Sequence, residues 1–369
     1  MAEEVRRAGG LPAADLLEGL VRIPSVTGDE EAAVAWLRRQ AEADGFRTTV
    51  DAAGDLVLEA GRGERRLLFV GHIDTVPGHI PVRVEDGVLW GRGSVDAKGC
   101  LVAAYIAARE RLRDPGISLR LVAAVGEEGD SRGTRQTIDA WTGPAPDWIL
   151  VGEPSGADAF TLGYKGIVRG ALSTRSEPVH GGHPGNTAAE ALLDTWQELR
   201  TRYRFAEGFD RLSGRLDAVQ AGNDGLSDAG TARFQMRLPP HVDPGTLVED
   251  VRAVATAHSV SLDVDEAVPA AMGDARSPLA AAFRAAVRAG GAAPRLLRKT
   301  GTADLNLLAQ AWPGVPIGAY GPGDSDLDHT PHERLDLAEL ERAVAVLGDV
   351  LGRLAERPLE RSPSADPAR

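Results

Sequence analysis

The sequence has very little cysteine, few aromatic residues and no apolar run long enough to cross a membrane. Its single cysteine, Cys100, excludes a disulfide framework within the chain and favours a reducing cytoplasm. Because Cys100 lies in an apolar helical pattern at residues 99–104, we expect a buried thiol rather than a nucleophile. Residues 1–7 lack the apolar core of a signal peptide. These absences predict a cytoplasmic protein that does not act in a membrane.

Basic residues are too few to balance the acidic ones. The chain has 41 Lys and Arg against 54 Asp and Glu, which gives a formal net charge of −13. Such a balance argues against nucleic acid as the main partner. The length of 369 residues and the hydrophobic content of 43% are enough for two domains with a sizeable core.

What the sequence does contain is a regular alternation of strand-like and helix-like segments. This alternation predicts an α/β fold with a largely parallel central sheet. Near residues 163–166 the pattern changes to β-α-β-α-β over about a hundred residues, enough for a separate domain. We therefore predict a discontinuous catalytic domain (1–164 and 273–369) interrupted by an inserted domain (165–272). The Pro-, Ser- and charge-rich tail, residues 358–369, is predicted to be disordered.

A His-x-Asp motif closes an apolar run at residues 67–70. His72 and Asp74 are two residues apart on an extended segment, so their side chains face the same side. The imidazole of His72 can hold a metal while Asp74 orients the ring from behind. Alone this motif is weak, and a structural histidine would be the better interpretation.

Further ligand-type residues follow the ends of later predicted strands, where open α/β sheets build their sites. These residues are Asp96, Glu127, Glu128 and Glu153, with His329 near the C-terminus. Two histidines and three carboxylates suit two divalent metal ions that share one carboxylate; the set favours zinc, with cobalt or manganese as alternatives. Of the adjacent acids Glu127 and Glu128, one can bind metal while the other transfers a proton.

The segments 71–74, 91–99 and 126–129, together with His329 and Glu333, resemble those of the di-zinc aminoacylase and carboxypeptidase family. That family includes acetylornithine deacetylase and succinyl-diaminopimelate desuccinylase. The resemblance implies a zinc-peptidase-like catalytic domain and an inserted, ferredoxin-like α+β lid that also forms a homodimer. It assigns one metal to His72 and Glu153, the other to Glu128 and His329, the bridge to Asp96, the general base to Glu127 and the support of His72 to Asp74.

The same resemblance suggests residues that contact the substrate. His180, in the loop 179–189, fits the histidine that one subunit offers to its partner as an oxyanion donor, and His183 is the nearest competitor. Arg237 and Thr302 match positions that bind a substrate carboxylate. The alternatives are a surface ion pair for Arg237 and a helix N-cap for Thr302.

Within the family, segments 151–156, 161–166, 299–304 and 319–331 resemble hydrolases that release lysine or ornithine from the C-terminal γ-glutamyl group of an amino-group carrier protein. The resemblance implies an acidic carrier as partner. The predicted docking surface is an arginine patch: Arg200, Arg202, Arg204, Arg211 and Arg215. The alternatives are hydrolysis of a free substrate, acetylornithine or succinyl-diaminopimelate, and an inactive amino-acid-binding protein on the same fold.

Overall fold

The computed structural model describes residues 10–178 and 186–357, which form two compact units. The first unit contains the described residues up to Leu162, Gly273–Leu297 and those from Ala311 onward. The second unit contains Gly163–Met272 and Arg298–Gln310, except for residues 179–185. His180, His183 and the predicted disordered tail lie outside the described residues. Within the described ranges, no helix combines the length and apolar character needed to span a bilayer.

The first unit consists of a large sheet, a small sheet and six α-helices. Its helices are α1 (Ala13–Val21), α2 (Glu31–Asp44), α3 (Lys98–Arg109), α4 (Arg132–Asp139), α7 (Pro278–Ala289) and α9 (Leu337–Glu356). Its strands are β1 (Arg47–Val50), β2 (Leu56–Gly61), β3 (Arg65–His72), β4 (Arg83–Glu85), β5 (Val88–Trp90), β6 (Ile117–Ala124), β7 (Trp148–Gly152), β15 (Ile317–Ala319) and β16 (Arg334–Asp336). Strands β8 (Ala159–Tyr164) and β14 (Arg295–Lys299) contain the residues at which one unit ends and the other begins. A 3-10 turn spans Ser325–Leu327.

The centre of the large sheet is parallel, as predicted. Its strand order runs β1-β2-β6-β3-β7-β15-β8, and the neighbours β6, β3, β7 and β15 are all parallel to one another. Strands β3 and β7 read as nearly continuous apolar runs because helices cover the sheet. Leu67, Phe69 and Leu121 of the sheet share one core with Tyr105 of α3 and Leu347 of α9. This core fixes the carboxyl ends of the parallel strands at one edge.

Local turn residues define the element boundaries in the first unit. Helix α2 ends at Asp44, and Gly45 follows it with φ 95°, the left-handed conformation that glycine adopts at little cost. Strands β4 and β5 form a hairpin, in which Asp86 and Gly87 both have positive φ.

The second unit is a four-stranded antiparallel sheet with helices packed on it. The four strands of this sheet are β9 (Gly166–Ser176), β10 (Ser213–Asn223), β11 (Asp228–Leu238) and β12 (Ser261–Val268). The short β13 (Ala271–Met272) pairs instead with Gly163 and Tyr164 of β8. The helices of the second unit are α5 (Ala188–Tyr203), α6 (Pro244–Ala257) and α8 (Asp304–Ala311). The sheet order is β10-β11-β9-β12, and Trp196 of α5, Phe234 of β11 and Val251 of α6 share its core. The β-α-β-α-β interpretation of the sequence missed β10, an edge strand whose residues are mostly exposed.

Candidate metal centre

His72 is the last residue of β3, at the carboxyl edge of the parallel strands. Its Nδ1 lies 3.0 Å from the main-chain oxygen of Asp74 and 3.5 Å from the Asp74 carboxylate. A proton on Nδ1 would therefore be donated to Asp74, and a proton on Nε2 to the Asp96 carboxylate, 3.2 Å away. A bound metal ion would take the place of the second proton. Burial disfavours protonation of His72, but Asp74, Asp96 and the charge of Glu127 outweigh it and raise the pKa of His72. The ring is thus held in a strongly negative environment.

The Asp74 carboxylate fixes the turn that carries the two adjacent glutamates. It accepts the backbone N–H of Glu127 at 3.1 Å, that of Glu128 at 3.2 Å and the hydroxyl of Thr27 at 2.8 Å. Burial alone would raise the pKa of Asp74, but its contacts with His72, Thr27 and the Glu128 N–H outweigh burial and lower it. Asp74 therefore positions the 127–128 turn as well as His72.

Asp96 lies between the two histidines. Its Oδ1 is 3.2 Å from His72 Nε2, and its Oδ2 is 3.0 Å from His329 Nε2. Burial would raise the pKa of Asp96, but the contacts with His329 and His72 outweigh it and hold the pKa far below the usual range. Each oxygen of one ionised carboxylate thus faces a different imidazole.

His329 adopts a left-handed backbone conformation with φ 59°, which is uncommon for a residue other than glycine. Its Nε2 contacts Glu128 Oε1 at 2.8 Å as well as Asp96. The contacts with Asp96 and Glu128 raise the pKa of His329 to about 10. The ligand atoms of His72, Asp96 and Glu128 all lie within 4.8 Å of one another.

Glu153 and Glu127 belong to the same edge of the sheet. Glu153 is buried and directly follows β7, which pairs with β3 so that Gly152 lies opposite Gly71. Glu153 is therefore the neighbour of His72 across the two strands. Glu127 is held through its backbone N–H, and its negative charge helps to raise the pKa of His72.

A buried pair of charges behind Asp96 has no counterpart in the sequence-based roles. Glu333 Oε1 accepts the backbone N–H groups of Val95 and Asp96 at 3.0 and 3.2 Å, and Glu333 Oε2 accepts from Arg92 at 2.7 Å. In the sequence, Glu333 belongs to a motif in which it has no assigned role, and Arg92 is only one residue of the segment 91–99. The available signal was a glutamate four residues after His329, in a stretch otherwise typical of a loop.

Arg237 and Thr302 lie in the second unit, in different environments. Arg237 is half-buried at the end of β11, donates to Gln235 Oε1 at 3.0 Å and forms no ion pair with any residue that the structure describes. Burial, together with the nearby cation Arg169, lowers the pKa of Arg237. The hydroxyl of Thr302 donates to the Lys165 main-chain oxygen at 2.8 Å, and α8 begins two residues later at Asp304.

The chain matches the model of peptidase family M20/M25/M40 over residues 68–353. It is 42% identical over 352 residues to a putative LysW-lysine/LysW-ornithine hydrolase of Thermococcus kodakarensis, covering 94% of each chain. It is 40% identical over 358 residues to the LysW-lysine hydrolase of Deinococcus radiodurans, covering 93% of this chain and 97% of that one.

Solved structures show the same fold. The M20 family metallo-carboxypeptidase Sso-CP2 of Sulfolobus solfataricus has a TM-score of 0.79 at 15% identity, covering 94% of this chain and 99% of that chain. The YXEP protein of Bacillus subtilis, described as a dinuclear metal-binding peptidase of the M20 family, has a TM-score of 0.65 at 14% identity, covering 93% and 96%.

Proposed function

Because the chain belongs to peptidase family M20/M25/M40, we propose that it hydrolyses an amide bond at the cluster of His72, Asp96, Glu128 and His329. The substrate would be lysine or ornithine joined through its α-amino group to the γ-carboxyl of the C-terminal glutamate of the carrier LysW. The names of the relatives from Thermococcus and Deinococcus support this substrate. The observation that carries the proposal is the position of Asp96, whose two oxygens face two different histidines.

That position suits a carboxylate that bridges two metal ions. His72 and Glu153 would hold one ion, and Glu128 and His329 the other. Imidazole and carboxylate donors together favour zinc, with cobalt or manganese as alternatives. The donor set suits a cation, because the carboxylates of Asp96 and Glu128 already stabilise the protonated, positively charged form of His329 and raise its pKa to about 10. When bound, two such ions lower the pKa of water and polarise the scissile carbonyl.

Glu127 would move the proton. It is adjacent to a metal ligand, and its main chain is fixed by Asp74, so its carboxylate can act beside the ions without binding them. Glu127 would take a proton from the attacking water and deliver it to the α-amino group as the amide bond breaks. The products would be the free γ-carboxylate of the carrier and free lysine or ornithine.

Three further residues would contact the substrate. His180 would donate a hydrogen bond to the developing oxyanion from the partner subunit, a role that rests on its sequence motif. Arg237 has a guanidinium without an ion partner among the described residues, which suits it to a substrate carboxylate. The hydroxyl of Thr302 donates its proton to the Lys165 main-chain oxygen. The backbone N–H of Thr302 would then bind the same substrate carboxylate as Arg237.

The acidic carrier would dock on the arginine patch of the second unit. All five side chains, of Arg200, Arg202, Arg204, Arg211 and Arg215, belong to exposed residues. Only two of them form ion pairs within the described part of the chain: Arg202 with Asp250 at 3.7 Å, and Arg215 with Asp217 at 2.7 Å. Unpaired cations on an acidic protein attract an acidic partner and raise its association rate.

A homodimer would form through the second unit. Strand β10 is the edge of its sheet, and an edge strand offers unpaired backbone groups to another chain. Four large apolar side chains of this unit are exposed: Leu193 at 50%, Val219 at 42%, Leu226 at 87% and Met272 at 45%. Apolar side chains beside an open sheet edge favour pairing with a second copy.

The deciding experiment compares substrates. The metal-loaded protein should hydrolyse LysW-linked lysine or ornithine with a far higher kcat/KM than acetylornithine or succinyl-diaminopimelate. A higher kcat/KM on either free acyl amino acid would show that this small molecule, and not the carrier-linked amino acid, is the substrate. If the protein has its full metal content but hydrolyses none of these compounds, the alternative of an inactive amino-acid-binding protein would be favoured instead.

A further inference from the structure

A large cavity of about 1190 Å³ lies at the opposite edge of the sheet, where the parallel strands of the first unit begin. It is lined by the first residues of β3 and β7 and by the segment 313–316 that leads into β15. Its charged lining consists of five arginines and three acids: Arg47, Arg65, Arg66, Arg120, Arg357, Glu59, Glu64 and Asp147. The charged lining of this cavity is thus net positive, although the whole chain has a net charge of −13.

The acids of this cavity neutralise only part of its positive charge. Glu59 pairs with both Arg47, at 3.3 Å, and Arg120, at 3.1 Å. Asp147 uses one carboxylate oxygen to accept the backbone N–H of Arg66, and no ion pair joins it to the guanidinium. The Arg66 side chain forms no hydrogen bond or ion pair with any residue in the ranges 10–178 and 186–357, and its Nε is shielded from solvent. A shielded donor without an acceptor costs free energy until an acceptor is supplied.

An aromatic wall stands on the same face of the sheet as Arg66. Arg66 lies opposite Ser118 in the β3–β6 pairing, and Arg120 is two residues further along β6, so all three side chains point to one face. The Arg120 guanidinium lies 4.9 Å from the centre of the Trp141 ring. Trp312 packs edge-on against Trp141, with ring centres 5.1 Å apart. Arg66 and Trp141 therefore line the same cavity, which forms a groove along this face of the sheet.

We propose that this groove binds a small organic anion, with a carboxylate or phosphate group on the Arg66 guanidinium and a flat or apolar portion against Trp141. A guanidinium fork matches both kinds of oxyanion, and an indole face accommodates a planar ring. The groove is distinct from the metal centre, because Arg66 and His72 are six residues apart on one strand, about 20 Å. The anion is therefore an additional ligand of the protein and not the amide substrate.

Calorimetric titration of the metal-loaded protein at low ionic strength tests this site. The probes are adenosine monophosphate, inorganic phosphate and glutarate, which separate a phosphate with a ring, a bare phosphate and a dicarboxylate. At least one probe should bind with one site per chain. Arg66→Gln should weaken that binding by about tenfold or more, equivalent to about 1.4 kcal/mol. The matched control is Arg276→Gln, whose side chain is 92% exposed on the same unit, and it should bind like the wild type.

Trp141→Leu tells the ligand classes apart, since it should weaken adenosine monophosphate and spare inorganic phosphate. Unchanged amide hydrolysis by Arg66→Gln would show that this variant is folded. If Arg66→Gln does not fold, Arg66→Lys takes its place in the comparison, because lysine keeps the positive charge but not the guanidinium fork. The proposal is overturned if no probe binds the wild type, or if every probe binds the Arg66 variant as tightly as the wild type.

Discussion

Glu333 accepts the backbone N–H of Asp96 at 3.2 Å and is itself completely buried. The other oxygen of Glu333 is paired with Arg92 at 2.7 Å. Glu333 is far from Asp96 in the sequence, yet it holds the main chain of the proposed bridging carboxylate in place. Burial raises the pKa of Glu333 more than the Asp96 and Val95 N–H groups and Arg92 lower it. The Asp96 and Val95 N–H groups and Arg92 thus favour the ionised form of Glu333 and offset part of the effect of burial.

The first prediction is that Glu333→Gln weakens both the fold and metal binding. The neutral amide cannot form an ion pair with Arg92. Its NH₂ group must also face a donor, either Arg92 or the N–H groups of Val95 and Asp96. The free energy of unfolding should therefore fall by about 3 kcal/mol. Metal affinity should fall about 10- to 100-fold, because Asp96 loses its support. Denaturant unfolding and metal titration measure the two effects, with the exposed Glu341→Gln as control. Unaltered metal affinity would show that Glu333 only stabilises the fold.

The second prediction separates the adjacent glutamates. Glu127→Gln should lower kcat by about 10²–10⁴-fold with two metals still bound, because it removes only the proton carrier. Glu128→Gln should lose metal together with activity, since Glu128 contacts His329 at 2.8 Å. Metal content and kcat on the same preparations decide the matter. Near-normal turnover by Glu127→Gln would refute its role as general base.

The third prediction concerns pH. The pKa of His329 is raised to about 10 in the metal-free chain, so at pH 8 His329 carries a proton that a metal ion must displace. Metal uptake at pH 8 should release about one proton more per chain from the wild type than from His329→Ala, and the affinity should fall as the pH is lowered from 10. A pH indicator dye in weak buffer records the protons. Equal release from both proteins would contradict the assignment of His329 as a ligand.

The fourth prediction addresses His180, which the sequence motif assigns to the partner's active site. His180→Ala should be almost inactive with unchanged metal content, since an oxyanion donor contributes about 3–4 kcal/mol. Mixing it with the equally inactive Asp96→Ala should restore part of the activity, because one half of a mixed dimer has an intact metal site and an intact His180. Mixed dimers with verified subunit exchange that remain inactive would place His180 outside the reaction.

The fifth prediction concerns the carrier. Replacing Arg200, Arg204 and Arg211 by Gln should raise KM for LysW-linked lysine and spare a short γ-glutamyl-lysine peptide. The wild-type reaction with the carrier should also slow with added salt, because the Debye length shrinks from about 10 Å at 0.1 M to about 3 Å at 1 M. The control replaces the exposed residues Arg39, Arg62 and Arg113 of the first unit. If the preference for the carrier does not change with salt, the arginine patch is not the docking surface.

Most of the fold follows from periodicity, and the meeting of the candidate ligands follows from the fold. Apolar runs ending at Val70, Val125 and Val151 predict parallel strands, and such strands bring their carboxyl ends to one edge. Strand β10 was not predicted because an exposed edge strand has no buried face to enforce an alternation of apolar and polar residues. The packing of residues 298–310 with the second unit also depends on tertiary contacts, such as those of Asn306 with Lys165 and Pro269.

The support of the site was harder to foresee than its donors. A strand end predicts where His72 lies, but no local pattern indicates that Glu333 returns to hold the main chain at Asp96. The groove around Arg66 is similar in this respect, because its arginines come from separate strands and each alone reads as an ordinary surface charge. Such relationships depend on long-range packing and become visible only in three dimensions.

The order of the donors along the chain has a consequence for biosynthesis. Translation produces His72, Asp96, Glu128 and Glu153 before the bulk of the second unit, and His329 only after it. A nascent chain therefore exposes a carboxylate-rich half-site while the second unit is still emerging from the ribosome. The cluster closes only when the C-terminal segment reaches the edge of the sheet. Completion of the proposed metal centre thus has to wait for the segment that carries His329, and a product truncated before residue 329 would lack this donor.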